Sequence, residues 1–243
     1  MGYFKPLGWR TMRAEGGETD EDTFLMKDLL NLDDPLEALT PVLLNQRYLD
    51  QYGNVDYAAF RQRIVKSFET ISEGMDAIMI EALHEPSLGC FMGLSVPRLA
   101  KALGSYVLLV SSIQKDYVVD EVLFEKERIC AEGANCLGIV FNYIPKMHIE
   151  RVRDLMAPIL GKHGIPTWGI IPECTPLTAP SVGMIAEVLN AEILSGQGKE
   201  DLLVENYLVG AMTQESAIRY FRTTPRKAII TGGGSTGHMP GGP

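Results

Sequence analysis

Four short apolar runs recur along this chain at a spacing of roughly thirty residues, and they limit its fold more than any other feature. They occupy residues 77–80, 106–110, 137–141 and 167–171 and are rich in branched and aromatic side chains. Segments with helical spacing of apolar residues separate them. That alternation is the pattern of repeated strand–helix–strand units. Such crossovers are right-handed, which puts helices on both faces of a parallel sheet. The expected fold is therefore α/β, a parallel sheet with helices on both faces. The run at 77–80 reads as a strand covered on both faces, and it ends on Glu81. In open α/β sheets the carboxyl ends of strands line the ligand crevice. By position alone Glu81 is a candidate metal ligand or acid/base group, or simply the first solvated residue after a strand.

Before the first run, residues 1–6 read as a short strand, and Gly8 with the Gly16-Gly17 pair as a loop. Asp20 is a suitable N-cap, with Glu21 and Asp22 in a first turn where carboxylates suit the positive end of the helix dipole. Phe24, Leu25, Leu29 and Leu32 give that helix an apolar side, and Asp33-Asp34-Pro35 ends it. Residues 33–54 read as a long loop with short helical pieces. Tyr57, Phe60, Ile64, Phe68 and Ile71 then recur at steps of three and four, predicting an amphipathic helix stopped by Gly74. Ser95 is placed to cap a helix over 96–103, and Ser181 one that runs to Leu189. Two more helices are expected over 118–132 and 147–163. The strand at 137–141 ends at Asn142, and the strand at 167–171 at Pro172-Glu173.

Composition shifts at residues 195–201, which read as a flexible linker. Residues 202–209 are strand-like, Thr213 is placed to cap a helix over 214–221, and 227–231 reads as a further strand. This is the start of a second β-α-β unit, too small to bury its own apolar face. The domain reading is thus an α/β domain over 1–194, a partial unit over 202–233 and a flexible tail over 234–243. Lysine and arginine total 22 against 31 aspartate and glutamate, a net charge of −9, with no basic stripe for nucleic acid. No apolar run approaches the roughly eighteen residues of a membrane span, and no secretory signal is visible. Cys90, Cys130, Cys136 and Cys174 lack paired C-x-x-C spacing, so a structural zinc site is not expected. Reduced thiols in a cytoplasmic protein are the expectation, with Cys130 and Cys136 in apolar surroundings.

Several stretches, in order, resemble one family. They are Gly2-Tyr-Phe-Lys-Pro-Leu-Gly8, the acidic Thr19-Asp-Glu-Asp22 before Phe24-Leu-Met, the strand ending at Glu81, Gly93-Leu-Ser-Val-Pro-Arg-Leu-Ala-Lys-Ala-Leu-Gly104, Gly138-Ile-Val-Phe-Asn142 and Gly169-Ile-Ile-Pro-Glu173. Together they look like the dethiobiotin synthetase-like (AAA_26-like) P-loop proteins. The form they are most similar to is the one fused to a DRTGG domain in the N-terminal half of long phosphate acetyltransferases. Leu208-Val-Gly-Ala-Met212 through Ile229-Ile-Thr-Gly-Gly233 resembles the opening of that DRTGG domain.

The resemblance implies ATP and Mg²⁺ as cofactors. By matching position, Asp22 and Glu81 would hold Mg²⁺, with Asp20 equally eligible. Lys5 would contact phosphate or a carboxylated substrate as the catalytic lysine, and Asn142 would read the adenine edge. Glu173 is carried as a second nucleotide contact or a surface residue, and His84 as a loop histidine or a general base. Each also has a plain alternative: a loop charge for Lys5, a helix-start charge for Asp22, a turn residue for Asn142. Implied partners are a nucleotide and either a second copy of the chain or an acetyltransferase-type protein, with no nucleic acid and no membrane.

The sequence departs from the family pattern in three places. It contains no G-x-x-x-x-G-K-[ST], the motif that cradles phosphates, which in relatives follows a central strand. Its absence is expected to leave a slot in the sheet and to prevent ATP turnover by this chain alone. Ala82 stands where relatives carry glycine, and Gly234-Ser235 where the DRTGG domain has Asp-Arg. The glycine run after 231 has no lysine and no following helix, so it reads as a tail rather than a substitute loop. Three readings compete: a remnant ATP/Mg²⁺-binding domain of ligase ancestry, a nucleotide-linked regulatory or interaction module, and an incomplete reading of a longer gene.

Overall fold

Lys5 follows a strand that runs beside the one ending at Glu81. Strand β1 (Gly2–Phe4) pairs in parallel with β6 (Ile78–Ile80), with Phe4 opposite Ile80. The computed structural model describes residues 1–14, 17–53, 55–113, 115–209 and 223–231. Two compact units divide between Ile171 and Pro172.

In the first unit, β2 (Leu7–Gly8) pairs in parallel with β5 (Val42–Leu43). Between them, β3 (Thr11–Ala14) and β4 (Gly17–Asp20) form an antiparallel hairpin. A loop is expected there from Gly8 and Gly16-Gly17; instead residues 11–14 and 17–20 pair as strands, Thr11 opposite Asp20. Helix α1 (Glu21–Leu29) follows, then α2 (Leu36–Leu39), α3 (Tyr48–Tyr52) and the long α4 (Tyr57–Ser72), whose Ile64 and Ile71 are buried. The expected apolar side of α1 does not face inward: Phe24, Leu25 and Leu29 are exposed. Thr23 is the buried residue of this helix, because the Asp20 cap turns its hydroxyl side toward Thr40, with which it shares a hydrogen bond.

Helix α5 (Val96–Ala102) leads from β6 to β7 (Tyr106–Ser111), and α6 (Val118–Ala131) leads on to β8 (Asn135–Ile144). Ser95 occupies the cap position of α5, but its side chain makes no capping hydrogen bond. β7 pairs in parallel with β8, and β9 (Thr167–Pro172) completes that three-stranded sheet. Among the described residues no ladder joins β6 to β7.

The expected continuous helix over 147–163 is instead broken into pieces. A 3₁₀ turn, α7 (Ile149–Arg151), a π turn over Val152–Met156 and α8 (Ala157–Lys162) follow one another. Pro158 has no N–H to give the carbonyl four residues back, and the widened turn accommodates its ring.

Apolar residues gather in two main clusters. Phe4, Leu39, Leu44, Ile64 and Leu94 centre the one around β1 and α4; Ile139, Phe141, Ile144, Met156 and Leu160 centre the one around β8. Neither β6 nor β7 is covered on both faces, which corrects the doubly buried reading of 77–80: Met79 is 57% exposed, and Tyr106, Leu108 and Val110 are exposed in alternation. Val107 and Leu109 turn the other way, onto Ala100 of α5 and Ile129 of α6, so the apolar run has one packed face. Cys130 lies exposed on α6 rather than in apolar surroundings, whereas Cys136 is half-buried and burial raises its thiol pKa.

The second unit, described on its own, contains α9 (Val182–Leu189), capped by Ser181 Oγ accepting from the Met184 N–H. It also contains β10 (Asn206–Val209), paired in parallel with β11 (Lys227–Ile230). The helix expected over 214–221 and the tail over 234–243 lie outside the described residues.

Gly138 sits at an irregularity between β7 and β8 with φ 144°, and a Cβ there would stand 2.4 Å from the Pro166 carbonyl oxygen. Gly138→Ala is expected to cost at least about 2 kcal/mol in denaturant unfolding. Gly161→Ala, in helix α8 with nothing within 4 Å of the added carbon, is expected to gain about 0.5–1 kcal/mol.

Candidate functional site

Parallel pairing of β1 and β6 sets Lys5 and Glu81 side by side at neighbouring strand ends, where the Glu81 N–H donates to the Phe4 carbonyl. The hairpin brings a third element to the same place: β4 ends on Asp20, which caps α1 and puts Asp22 in its first turn. The Lys5 ammonium lies where the three meet, 2.8 Å from Asp20 Oδ1, 2.5 Å from Asp22 Oδ2 and 3.0 Å from Glu81 Oε1. An ammonium has three N–H donors, and here each has a carboxylate.

Burial grades across the cluster. The side chains of Lys5 and Asp20 are 4% and 0% exposed, those of Asp22 and Glu81 44% and 35%. Asp20 is held by the backbone: its Oδ2 accepts from the Trp9 and Arg10 N–H groups, its Oδ1 from those of Asp22 and Thr23. It is thus the fixed inner wall, while Asp22 and Glu81 form the solvent side. Tyr3, 2% exposed, donates its hydroxyl to Glu81 Oε2 at 2.6 Å and orients that carboxylate. Burial, reinforced by this bond, keeps the Tyr3 hydroxyl protonated well above the usual tyrosine range. Burial alone would lower the Lys5 pKa; the hydrogen bonds to Asp20, Asp22 and Glu81 outweigh it and raise it. The bond from Lys5 lowers the Asp22 pKa against its own partial burial, with Arg10 a more distant contributor.

Of the residues singled out in the sequence, Lys5, Asp22 and Glu81 are brought together. Asn142 lies two residues before the end of β8, half-buried, its Oδ1 accepting from the Tyr143 N–H, and it makes no hydrogen bond with the Lys5 cluster. Glu173 is exposed in the second unit, and His84 is exposed in the loop after β6. Sequence reasoning passed over Tyr3, although its spacing of two from Lys5 on a strand is the signal that both share a face.

The site's chemistry suits Mg²⁺, which takes carboxylate oxygens. Its arrangement does not: among the described residues no three His, Cys, Asp or Glu side chains stand so as to hold a metal ion. The point on which the carboxylates converge is taken by the lysine.

Residues 1–181 match AAA_26, an AAA domain. The chain belongs to the AAA_26 family. Residues 184–236 match the DRTGG domain, so an AAA_26 domain is followed by a DRTGG domain. The chain is 22% identical to a phosphate acetyltransferase of Nitrosomonas europaea over 239 residues, covering 96% of this chain and 33% of that protein. It is 25% identical to an ATP-dependent dethiobiotin synthetase BioD of Methanocaldococcus jannaschii over 150 residues, 59% of this chain and 66% of the synthetase. This AAA_26 chain therefore spans a third of the acetyltransferase it matches. No helix among its described residues is long and apolar enough to cross a membrane.

The pKa directions fix a pH window. Asp22, lowered, contributes stability above the ordinary aspartate value near pH 4, and that contribution is lost as pH falls through its folded value. Lys5, raised, contributes below the ordinary lysine value near 10.4 and loses its contribution as pH rises through its folded value. Because Asp22 is 44% exposed, Asp22→Asn is expected to cost only about 1 kcal/mol or less at neutral pH. In thermal melts the gap to the parent protein should narrow as the pH falls below the ordinary aspartate value; a gap that stays as large in acid as at neutral pH would mean the ion pair is not its source.

Proposed function

We propose that this AAA_26–DRTGG chain is a nucleotide-linked regulatory domain associated with phosphate acetyltransferase-type proteins, without autonomous catalysis. The observation that carries the proposal is the convergence of Lys5, Asp22 and Glu81, two strand ends and a helix start, on one small site. That site joins a cation suited to phosphate with carboxylates suited to a phosphate-bound divalent ion. On this reading Lys5 contacts the nucleotide's phosphates and Asn142 the adenine, with Glu173 an outer nucleotide contact, and Asp22 with Glu81 would hold Mg²⁺ only in an arrangement other than the one closed on the ammonium. The match across 96% of the chain to a phosphate acetyltransferase supports the regulatory association. The sequence has no G-x-x-x-x-G-K-[ST], which supports the absence of turnover by this chain alone. Four free thiols fit a cytoplasmic setting.

A second reading, an ATP- and Mg²⁺-dependent ligase-type or ATPase domain completed by a phosphate loop outside this sequence, is favoured by the 25% identity to BioD.

Titration calorimetry with ATP and Mg²⁺ tests the first reading. Weak binding by the parent protein, lost in Glu81→Gln, is the expected result, with no phosphate release over hours. Absence of any heat with the parent protein would leave a pure interaction module, and steady ATP hydrolysis would establish the second reading instead.

A further inference from the structure

Strand β8 changes face at its carboxyl end. Ile139 and Phe141 lie on the face covered by α6 and α8, and alternation would send Tyr143 after them. Instead Tyr143 has φ 63°, the left-handed region that a bulky residue enters only under strain. Ile144 takes the buried place, and the Tyr143 ring is turned out, 48% exposed. The burial of Ile144 accounts for the bend but not for a tyrosine at it, because glycine or asparagine adopts that conformation at less cost. Among the described residues the Tyr143 ring stacks on no other ring, and its hydroxyl makes no hydrogen bond.

The residue before it is arranged to act with it. Register places Val140 opposite Val110, which is exposed, so alternation puts Asn142 on the open face of the sheet. The Tyr143 N–H can only donate, so the Asn142 atom that it meets is the oxygen. The two amide N–H donors of Asn142 are then left, among the described residues, for a ligand. A fixed donor pair next to an outward aromatic ring, at the carboxyl end of a strand, is the recognition chemistry of a planar heterocycle with acceptor atoms on its edge. We propose, on the reading that this chain takes a nucleotide, that Tyr143 is a binding residue that stacks on the base whose edge Asn142 meets. The strain at Tyr143 is held in the free protein, so the ring is already in place when the base arrives.

The test compares, by titration calorimetry on the complete chain, the affinities for ATP and for tripolyphosphate, which lacks a base. Tyr143→Gly keeps the N–H that holds Asn142 and takes a φ of 63° without strain, so it should fold as readily as the parent protein. It is expected to bind ATP about tenfold more weakly, the loss of one stacked base, with its affinity for tripolyphosphate unchanged. Tyr143→Phe, which keeps the ring, should match the parent protein for both ligands. If Tyr143→Gly does not fold, Tyr143→Asn carries the same comparison. Unchanged ATP affinity in a folded variant without the ring, or an equal loss for ATP and tripolyphosphate, overturns the stacking role and leaves the nucleotide reading standing. Failure of the parent protein to bind ATP sinks the nucleotide reading, and the stacking role with it.

Discussion

A buried ammonium surrounded by carboxylates is the interaction on which the N-terminal part of the structure depends. Taking charges out of water is costly, and the cost is met only when every donor and acceptor finds a partner. Here it is met by convergence. β1 delivers Lys5, β6 delivers Glu81, and the β3–β4 hairpin delivers Asp20 to the start of α1. Asp20 draws backbone N–H groups from both sides of the hairpin, which binds strand end and helix start into one corner. The hydrogen bond between Thr23 and Thr40 ties that corner to the loop behind it. An apolar replacement of any one partner would leave the others charged and facing each other.

Much of this was legible in the sequence, and the rest had physical reasons to stay hidden. The apolar runs at β6, β7, β8 and β9 and the periodic helix α4 are strong local signals, and the structure has those elements there. Asp20 and Ser181 read correctly as caps because their preference arises within a single turn. The hairpin at 11–20 was not legible, since its pairing depends on partners that glycines disguise as loop. Strand exposure was hidden too: an apolar run reports β-propensity, while cover depends on which helices arrive from elsewhere. Asp20's burial and Tyr3's bond to Glu81 are tertiary facts with only faint local traces. The π turn is a further miss, because the helix expected over 147–163 takes no account of Pro158 within it.

Family membership and geometry answer different questions. Membership in the AAA_26 family, with a DRTGG domain after it, gives the ancestry of the fold. A fold alone does not assign a reaction. The site does narrow the chemistry: a buried acid held by backbone N–H groups, two part-exposed acids and a lysine make a closed ion-pair cluster, and nothing in it resembles a nucleophile paired with a base.

The bond from Tyr3 to Glu81 spans 78 positions of sequence. Joining such distant points closes a long loop, whose entropy must be offset before the contact contributes anything. The corner around Lys5 is therefore complete only while β6 is docked beside β1. Its integrity consequently reports on the whole segment from residue 3 to residue 81. Fraying of one three-residue strand, β6, would withdraw Glu81 from the ammonium while Asp20 and Asp22 stay with the hairpin and α1, which makes that short strand the mechanical fuse of the site.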